Sequence, residues 1–159
     1  MKSGRGWQAV PLHKRRSEDM FGKILLGYDG SPNAQRALTV ALDLARRYEA
    51  KVLAVSVAHL PDYADTRDEI NGSLDDAKAF FRRFLDEAAE AAATAGVVME
   101  TRVLPGHPAD TLVRVAEAEK CDLIVVGARG HTGVKRLLLG SVSEAIVRSA
   151  HCPVLVVKD

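Results

Sequence analysis

Aromatic residues are scarce in this chain, at 5% of the sequence against 47% for hydrophobic residues as a whole. The core must therefore be built from Ala, Val, Leu and Ile, which suits an α/β protein. Cysteine is equally sparse. Cys121 and Cys152 each stand just before an apolar run, and neither falls in a Cys-x-x-Cys or Cys/His spacing. Both read as small core residues of a reducing, cytoplasmic compartment rather than as metal ligands or redox thiols. Charge of one sign is missing too. A formal net charge of +1 argues against a dedicated nucleic-acid surface, which needs a clustered excess of Lys and Arg. No apolar run approaches the roughly 20 residues of a membrane-spanning helix, so no membrane role is expected. No GxxxxGK[ST] occurs, which excludes a Walker A loop.

The first 19 residues lack a period of any kind. They carry Lys2, Arg5, Lys14, Arg15 and Arg16, with an isolated Trp7. A secretory signal would follow such basic residues with an apolar segment, and none is present. Residues 1–19 read as a disordered basic tail or leader, a transit peptide being the alternative. Residues 20–159 then form one domain, long enough for a proper core.

From Lys23 onward, short apolar runs alternate with helical patterns. Ile24-Leu25-Leu26, Val52 to Val57, Val97 to Leu104, Leu123 to Val126 and Pro153 to Val157 read as strands. Between them lie four helical stretches, which start near Ser31-Pro32, Leu74, Pro108 and Gly140. Phe80, Phe81, Phe84 and Leu85 read as core positions of the second helix. Residues 59–73, with Pro61 and Asn71-Gly72, read as a polar loop. Strands separated by helices require crossover connections, so the expected fold is a five-stranded, parallel, doubly wound α/β sheet with helices on both faces.

The chemistry is concentrated after the fourth strand. Gly127-Ala128-Arg129-Gly130 is followed by a nine-residue spacer and Gly140-Ser141. Glycine lets the chain turn sharply there and leaves backbone N–H groups uncovered. A helix beginning at Gly140-Ser141 presents free N–H donors and a partial positive charge, which together suit a phosphate chain. Ser141 and Glu144 also match a capping box, in which the serine satisfies only its own helix. Arg129, Lys135 and Arg136 lie nearby and read as solvated surface charges, with phosphate pairing as the alternative. Ligands of open parallel sheets sit where the strand order reverses. If the order is 3-2-1-4-5, that point lies between Asp29, after strand 1, and Gly127-Gly130, after strand 4. Asp29 before Gly30 is also a common turn pair. His107 reads as part of the start of helix 3. His131 has no partner carboxylate or nucleophile in the motif and carries no assigned role.

These residues resemble the universal stress proteins, in particular their ATP-binding branch, which shows G-x2-G-x9-G-[ST] after strand 4. The similarity extends to Ile24-Leu25-Leu26-Gly27-Tyr28-Asp29-Gly30-Ser31 and to His151-Cys152-Pro153-Val154-Leu155-Val156-Val157, and it spans Phe21 to Lys158. The resemblance implies the order 3-2-1-4-5 and an adenine nucleotide, ATP with Mg2+, in the crevice. It implies that Asp29 meets the ribose or the metal–phosphate end, that Val57 meets the adenine through its backbone, and that Val126 flanks the base. Gly127, Gly130, Gly140 and Ser141 would cradle the phosphates, continued by Val142 and Ser143. No catalytic residue and no protein metal ligand is assigned.

An apolar edge strand such as Val154–Val157 is rarely left bare. Pairing with a second copy would give a homodimer, and the resemblance points the same way; a monomer with that edge covered by the N-terminal tail is the alternative. The expectation is a cytoplasmic, ATP-binding regulatory dimer of the stress-response type. A slow ATPase or phosphotransferase on the same site, and a nucleotide-independent interaction protein on this fold, are the alternatives.

Overall fold

The computed structural model describes residues 20–59, 66–130 and 139–158. The tail at 1–19, the start of the loop after His59, and His131, Lys135 and Arg136 of the spacer lie outside the described residues.

Strand β1 (Lys23–Gly27) sets the logic of the fold. Ile24 and Leu26 belong to one hydrophobic cluster and Leu25 to another, and all three are fully buried. A strand that buries both faces has no polar side to alternate, which is why its sequence reads as an unbroken apolar run. Each such side chain contributes about 1.5–3 kcal/mol by leaving water.

Helix α1 (Pro32–Tyr48) follows, with the Ser31 Oγ accepting the Ala34 N–H at 3.2 Å and Pro32 in the first turn. Strand β2 (Lys51–Ala58), helix α2 (Arg67–Thr94), strand β3 (Met99–Pro105), helix α3 (Pro108–Ala118), strand β4 (Leu123–Gly127), helix α4 (Ser141–Ser149) and strand β5 (Val154–Val157) complete the chain. The sheet is parallel in the order β3-β2-β1-β4-β5. Helices α1 and α2 cover the face carrying Ile24, Leu26, Ala54 and Val125, while α3 and α4 cover the face carrying Leu25, Val55, Ile124 and Val126. The doubly wound architecture expected from the sequence is the one observed.

The second helix departs from the sequence reading. It begins at Arg67, not near Leu74, and residues 67–73 are helical rather than a polar loop. Thr66 and Glu69 form a reciprocal capping box, the Thr66 Oγ1 accepting the Glu69 N–H at 3.2 Å and a Glu69 carboxylate oxygen accepting the Thr66 N–H at 3.1 Å. That cap satisfies donors at the helix start and outweighs the Asn71-Gly72 turn signal. Phe80 is a second correction. It is 59% exposed, while Phe81 and Phe84 pack against the core and Leu85 is buried. One residue along a helix rotates by about 100°, which carries Phe80 off the seam formed by Phe81, Leu85, Ala88 and Ala92. The remaining boundaries differ from the sequence reading by a residue or two.

Both thiols are free. Desolvation pushes Cys121 up to about 11 and raises Cys152 as well, so both are protonated at neutral pH.

Candidate functional site

A cleft of about 450 Å³ opens at the carboxyl ends of the strands, where β1 and β4 part. The helices after β1, β3 and β4 leave the sheet in opposite directions here, so side chains cannot fill the space between them. Ser31 and Ala34 at the start of α1, Pro108 at the start of α3, and Ser141, Val142 and Ser143 in the first turn of α4 all reach its wall. The amino ends of three helices therefore converge on one cavity, each with a partial positive charge.

All nine residues singled out from the sequence line this cleft: Asp29, Val57, Val126, Gly127, Gly130, Gly140, Ser141, Val142 and Ser143. Two loops bring them together. The loop after β1 is held by the Tyr28 N–H donating to Val55 O at 2.9 Å, while the buried Ser56 hydroxyl donates to Tyr28 O at 2.6 Å. Asp29 then folds back, one carboxylate oxygen accepting the Ser31 N–H at 2.9 Å. Across the cleft, the Ala128 N–H donates to Val157 O at 2.8 Å, and Ala128 O accepts the Gly140 N–H at 2.7 Å and the Ser143 hydroxyl at 2.9 Å. The two ends of the glycine motif are thereby tied to each other although nine residues separate them.

The glycines act differently from the sequence reading. None of Gly127, Gly130 and Gly140 has a positive φ, so conformational freedom is not why they are glycine. Space is the reason. A Cβ on Gly127 would lie 2.8 Å from the Asn33 carbonyl carbon, and one on Gly130 would lie 2.7 Å from an Asp29 carboxylate oxygen. At Gly140 it would meet Ala128 O at 3.0 Å. The missing Cβ at Gly130 is what lets the loops after β1 and β4 touch.

The capping-box reading of Ser141 is also corrected. Gly140 is the N-cap of α4 and no side chain caps it; the Glu144 N–H is taken by Gly140 O at 3.0 Å. Ser141 is instead the first helical residue, exposed on the cleft wall. The serine that secures the loop is Ser143, 2% exposed, whose hydroxyl also reaches Gly140 O at 3.0 Å. At the start of α3, His107 is the N-cap by its backbone but its side chain caps nothing.

The apolar part of the wall is Val55, Val57, Leu112 and Val126, which belong to one hydrophobic cluster. Tyr28 is 4% exposed, and burial, followed by the Glu87 and Asp29 carboxylates, raises its phenol, which keeps it neutral. Among the described residues lining the cleft, Asp29 is the one carboxylate and no histidine is present. Among the described residues, too, no group of three or more His, Cys, Asp or Glu is gathered for a metal. A polar wall made of backbone N–H groups and hydroxyls joined to an apolar wall suits a ligand that is anionic at one end and flat and apolar at the other. Sequence reasoning did not single out Ser31, Ala34, Val55, Pro108, Leu112 and Leu139 as wall residues, while Arg129, read there as a surface charge with phosphate pairing as the alternative, also lines the cleft. Ser31 and Pro108 could have been found as helix starts after strand ends. Val55 and Leu112 carried no local signal, because only the strand order and the α3 crossover bring them there.

A profile of the Universal stress protein family matches residues 20–158 of this chain. The chain is 37% identical over 146 residues to a universal stress protein of Methanocaldococcus jannaschii, the match covering 91% of this chain and 86% of that protein. Among solved structures it is similar to the universal stress protein UspA from Lactobacillus plantarum, with 30% identity and a TM-score of 0.77 over 86% of this chain and 97% of that one. It is also similar to a universal stress protein in complex with cAMP, with 31% identity and a TM-score of 0.69 over 87% and 97%.

Proposed function

The chain belongs to the universal stress protein family, and from that premise we propose that it is a cytoplasmic regulatory protein whose cleft binds an adenine nucleotide, ATP with Mg2+. The observation that carries the reading is the fusion of two unlike half-sites in one cavity. Gly127, Gly130, Gly140 and Ser141 belong to the polar wall, where the first turn of α4 offers backbone donors to phosphate, while Val57 and Val126 belong to the apolar wall. The similar protein solved with cAMP carries an adenine nucleotide on the same fold. The triphosphate is favoured by the helix starts, and Asp29, whose carboxylate faces the Gly130 backbone across the cleft, is the wall carboxylate that would meet a phosphate-bound Mg2+. The metal would be held mainly by the phosphates, its usual mode, since Mg2+ keeps most of its waters and takes one or two carboxylates.

Ser141 bears on the alternative of a nucleotide-independent protein. That reading uses Ser141 up as a helix cap, but Ser141 is not the cap and faces the cleft. Binding rather than turnover is the activity we assign, because Asp29 is engaged with the Ser31 N–H and the described wall offers no other candidate base. Bound nucleotide would act as a signal by stabilising the state that holds it.

The test is calorimetry of Mg-ATP, AMP and cAMP against nucleotide-stripped protein. Saturable micromolar binding of ATP, weakened when Mg2+ is chelated, is the expected result. Heat of dilution alone for all three nucleotides would overturn the reading.

The same proposal includes a homodimer through β5. Among the described residues that strand pairs only with β4, and Val154 to Val157 are all partly exposed.

A further inference from the structure

Gly30, in the loop after β1, does not hold its own conformation. It is buried with φ +77, and glycine populates positive and negative φ about equally. The turn is therefore fixed by what touches it. Upstream, Tyr28 is tied to β2 through the Val55 carbonyl and the Ser56 hydroxyl. Downstream, the Ser31 N–H is held by an Asp29 carboxylate oxygen, and the Ser31 hydroxyl caps α1. The Gly30 carbonyl meets the Gln35 side-chain amide only at 3.5 Å, a length at which a hydrogen bond contributes little.

What closes on Gly30 is α2. A Cβ at residue 30 would lie 2.6, 2.7 and 3.0 Å from Cγ, Cδ1 and Cδ2 of Phe84. Adjacent ring atoms at nearly equal distance put that point above the ring face, not beyond its edge. The Phe84 ring thus lies flat against the Gly30 Cα and fills the space into which the turn could relax. Phe84 is itself braced, packing on the core with the Phe80 ring set against it at a centroid separation of 5.7 Å. Glu87, one helical turn further on, faces the same loop: burial first, and the Glu87 carboxylate next, raise the Tyr28 phenol.

This contact bears on the cleft through the residue that the turn carries. One Asp29 oxygen accepts the Ser31 N–H at 2.9 Å, and the other is the atom that a Cβ on Gly130 would meet at 2.7 Å. Residue 30 joins the two ends of that Asp29–Ser31 bond, so the direction of the carboxylate depends on the φ of Gly30. We infer that Phe84 is a positioning residue of the nucleotide site: acting through Gly30, it keeps Asp29 aimed at the metal–phosphate end of the ligand. Phe84 stands behind the loop, outside the cleft wall, and has no contact with the ligand in this role. The inference rests on the nucleotide reading above.

The experiment is calorimetry of ATP, with Mg2+ and with the metal chelated, on nucleotide-stripped full-length protein. It compares the wild type with Phe84→Leu, Phe81→Leu and Asp29→Asn. Leucine keeps apolar bulk but offers no flat face to Gly30, and Phe81→Leu makes the same change elsewhere on the α2 core seam. Phe84→Leu should lose about fivefold or more of the affinity that Mg2+ adds, as Asp29→Asn does, while binding metal-free ATP within about twofold of the wild type. Phe81→Leu should lower Tm and keep the Mg2+ gain. A gain kept in Phe84→Leu but lost in Asp29→Asn would overturn the positioning role and leave the nucleotide reading standing. An equal loss in Phe81→Leu would also overturn it, because any loosening of α2 would then suffice. A gain kept in Asp29→Asn, or absent from the wild type, would overturn the place of Asp29 at the metal and this inference with it.

Discussion

At the scale of single residues, the site depends on atoms that are missing. Gly127 and Gly130 both sit where a Cβ would collide, but with different neighbours. At Gly127 the obstacle is the backbone of Asn33, which cannot yield without moving α1 off the sheet. At Gly130 it is one oxygen of the Asp29 side chain, which can swing away. The two alanine substitutions should therefore separate stability from binding. Gly127→Ala should cost about 1–3 kcal/mol of folding stability, the usual penalty of overpacking, visible as a lower denaturant midpoint. Gly130→Ala should leave that midpoint nearly unchanged and weaken Mg-ATP binding about tenfold or more, because it displaces Asp29 and crowds the phosphate end. If Gly130→Ala bound ATP as the wild type does, Asp29 and Gly130 would not belong to the binding surface.

At the scale of elements, α2 shows where local sequence signals compete. Asn71-Gly72 reads as a turn, yet it lies inside a helix of 28 residues because the Thr66–Glu69 box starts that helix earlier. Gly72 is exposed and a Cβ there would meet nothing within 4 Å, so the glycine serves no packing purpose. Gly72→Ala should stabilise the protein by about 0.5–1 kcal/mol through helix propensity alone. Urea denaturation would check this, and a destabilised variant would mean that the helix does not run through residue 72. The strands were far more legible. Ile24-Leu25-Leu26 and Leu123 to Val126 are buried on both faces, and short β-branched or leucine runs bounded by glycine are what a central parallel strand requires. The glycine motif was legible as a site because its spacing is fixed by a physical tie, the Ala128 carbonyl holding Gly140 and Ser143. Val55 and Leu112 were not, since their place in the cleft depends on long-range topology. The role of Ser143 was hidden as well, because a serine that bonds backward to a carbonyl looks in sequence like any other serine of a first helical turn.

At the scale of the whole molecule, one polar cluster ties distant parts of the chain. Glu119, just beyond α3, accepts Lys23 Nζ at 2.5 Å and Arg102 at 2.7 Å, so it joins β1, β3 and α3. Hydrogen bonds from Lys23 and then Arg102 hold its carboxyl down at about 2, against an ordinary value of 4.5. A depressed carboxylate contributes stability that is complete above 4.5 and is lost as pH falls from there through 2. Glu119→Gln should therefore lower Tm at pH 7, and the gap to the wild type should close as the pH is taken from 4.5 toward 2. A gap independent of pH would show that Glu119 acts by packing, not by charge.

The remaining whole-molecule question is what covers the open edge of the sheet. Carbonyls of Pro153 and Val157 accept the N–H groups of Ile124 in β4 and of Ala128 just after it, and strand alternation then turns the N–H and C=O of Val154 and Val156 outward. Those outward groups lie on an edge whose side chains are apolar and only partly buried. Such an edge templates pairing with another strand unless something blocks it, and a second copy of the same strand can supply a two-fold partner with every outward group matched. Proline at position 156 removes one outward N–H without touching a bond to β4, which is the place where an edge strand tolerates it. Val156→Pro should therefore convert a dimer into a folded monomer, read as a halving of the mass by light scattering at unchanged helix content. A wild-type protein that is already monomeric, or a variant whose mass does not fall, would exclude β5 pairing as the means of association.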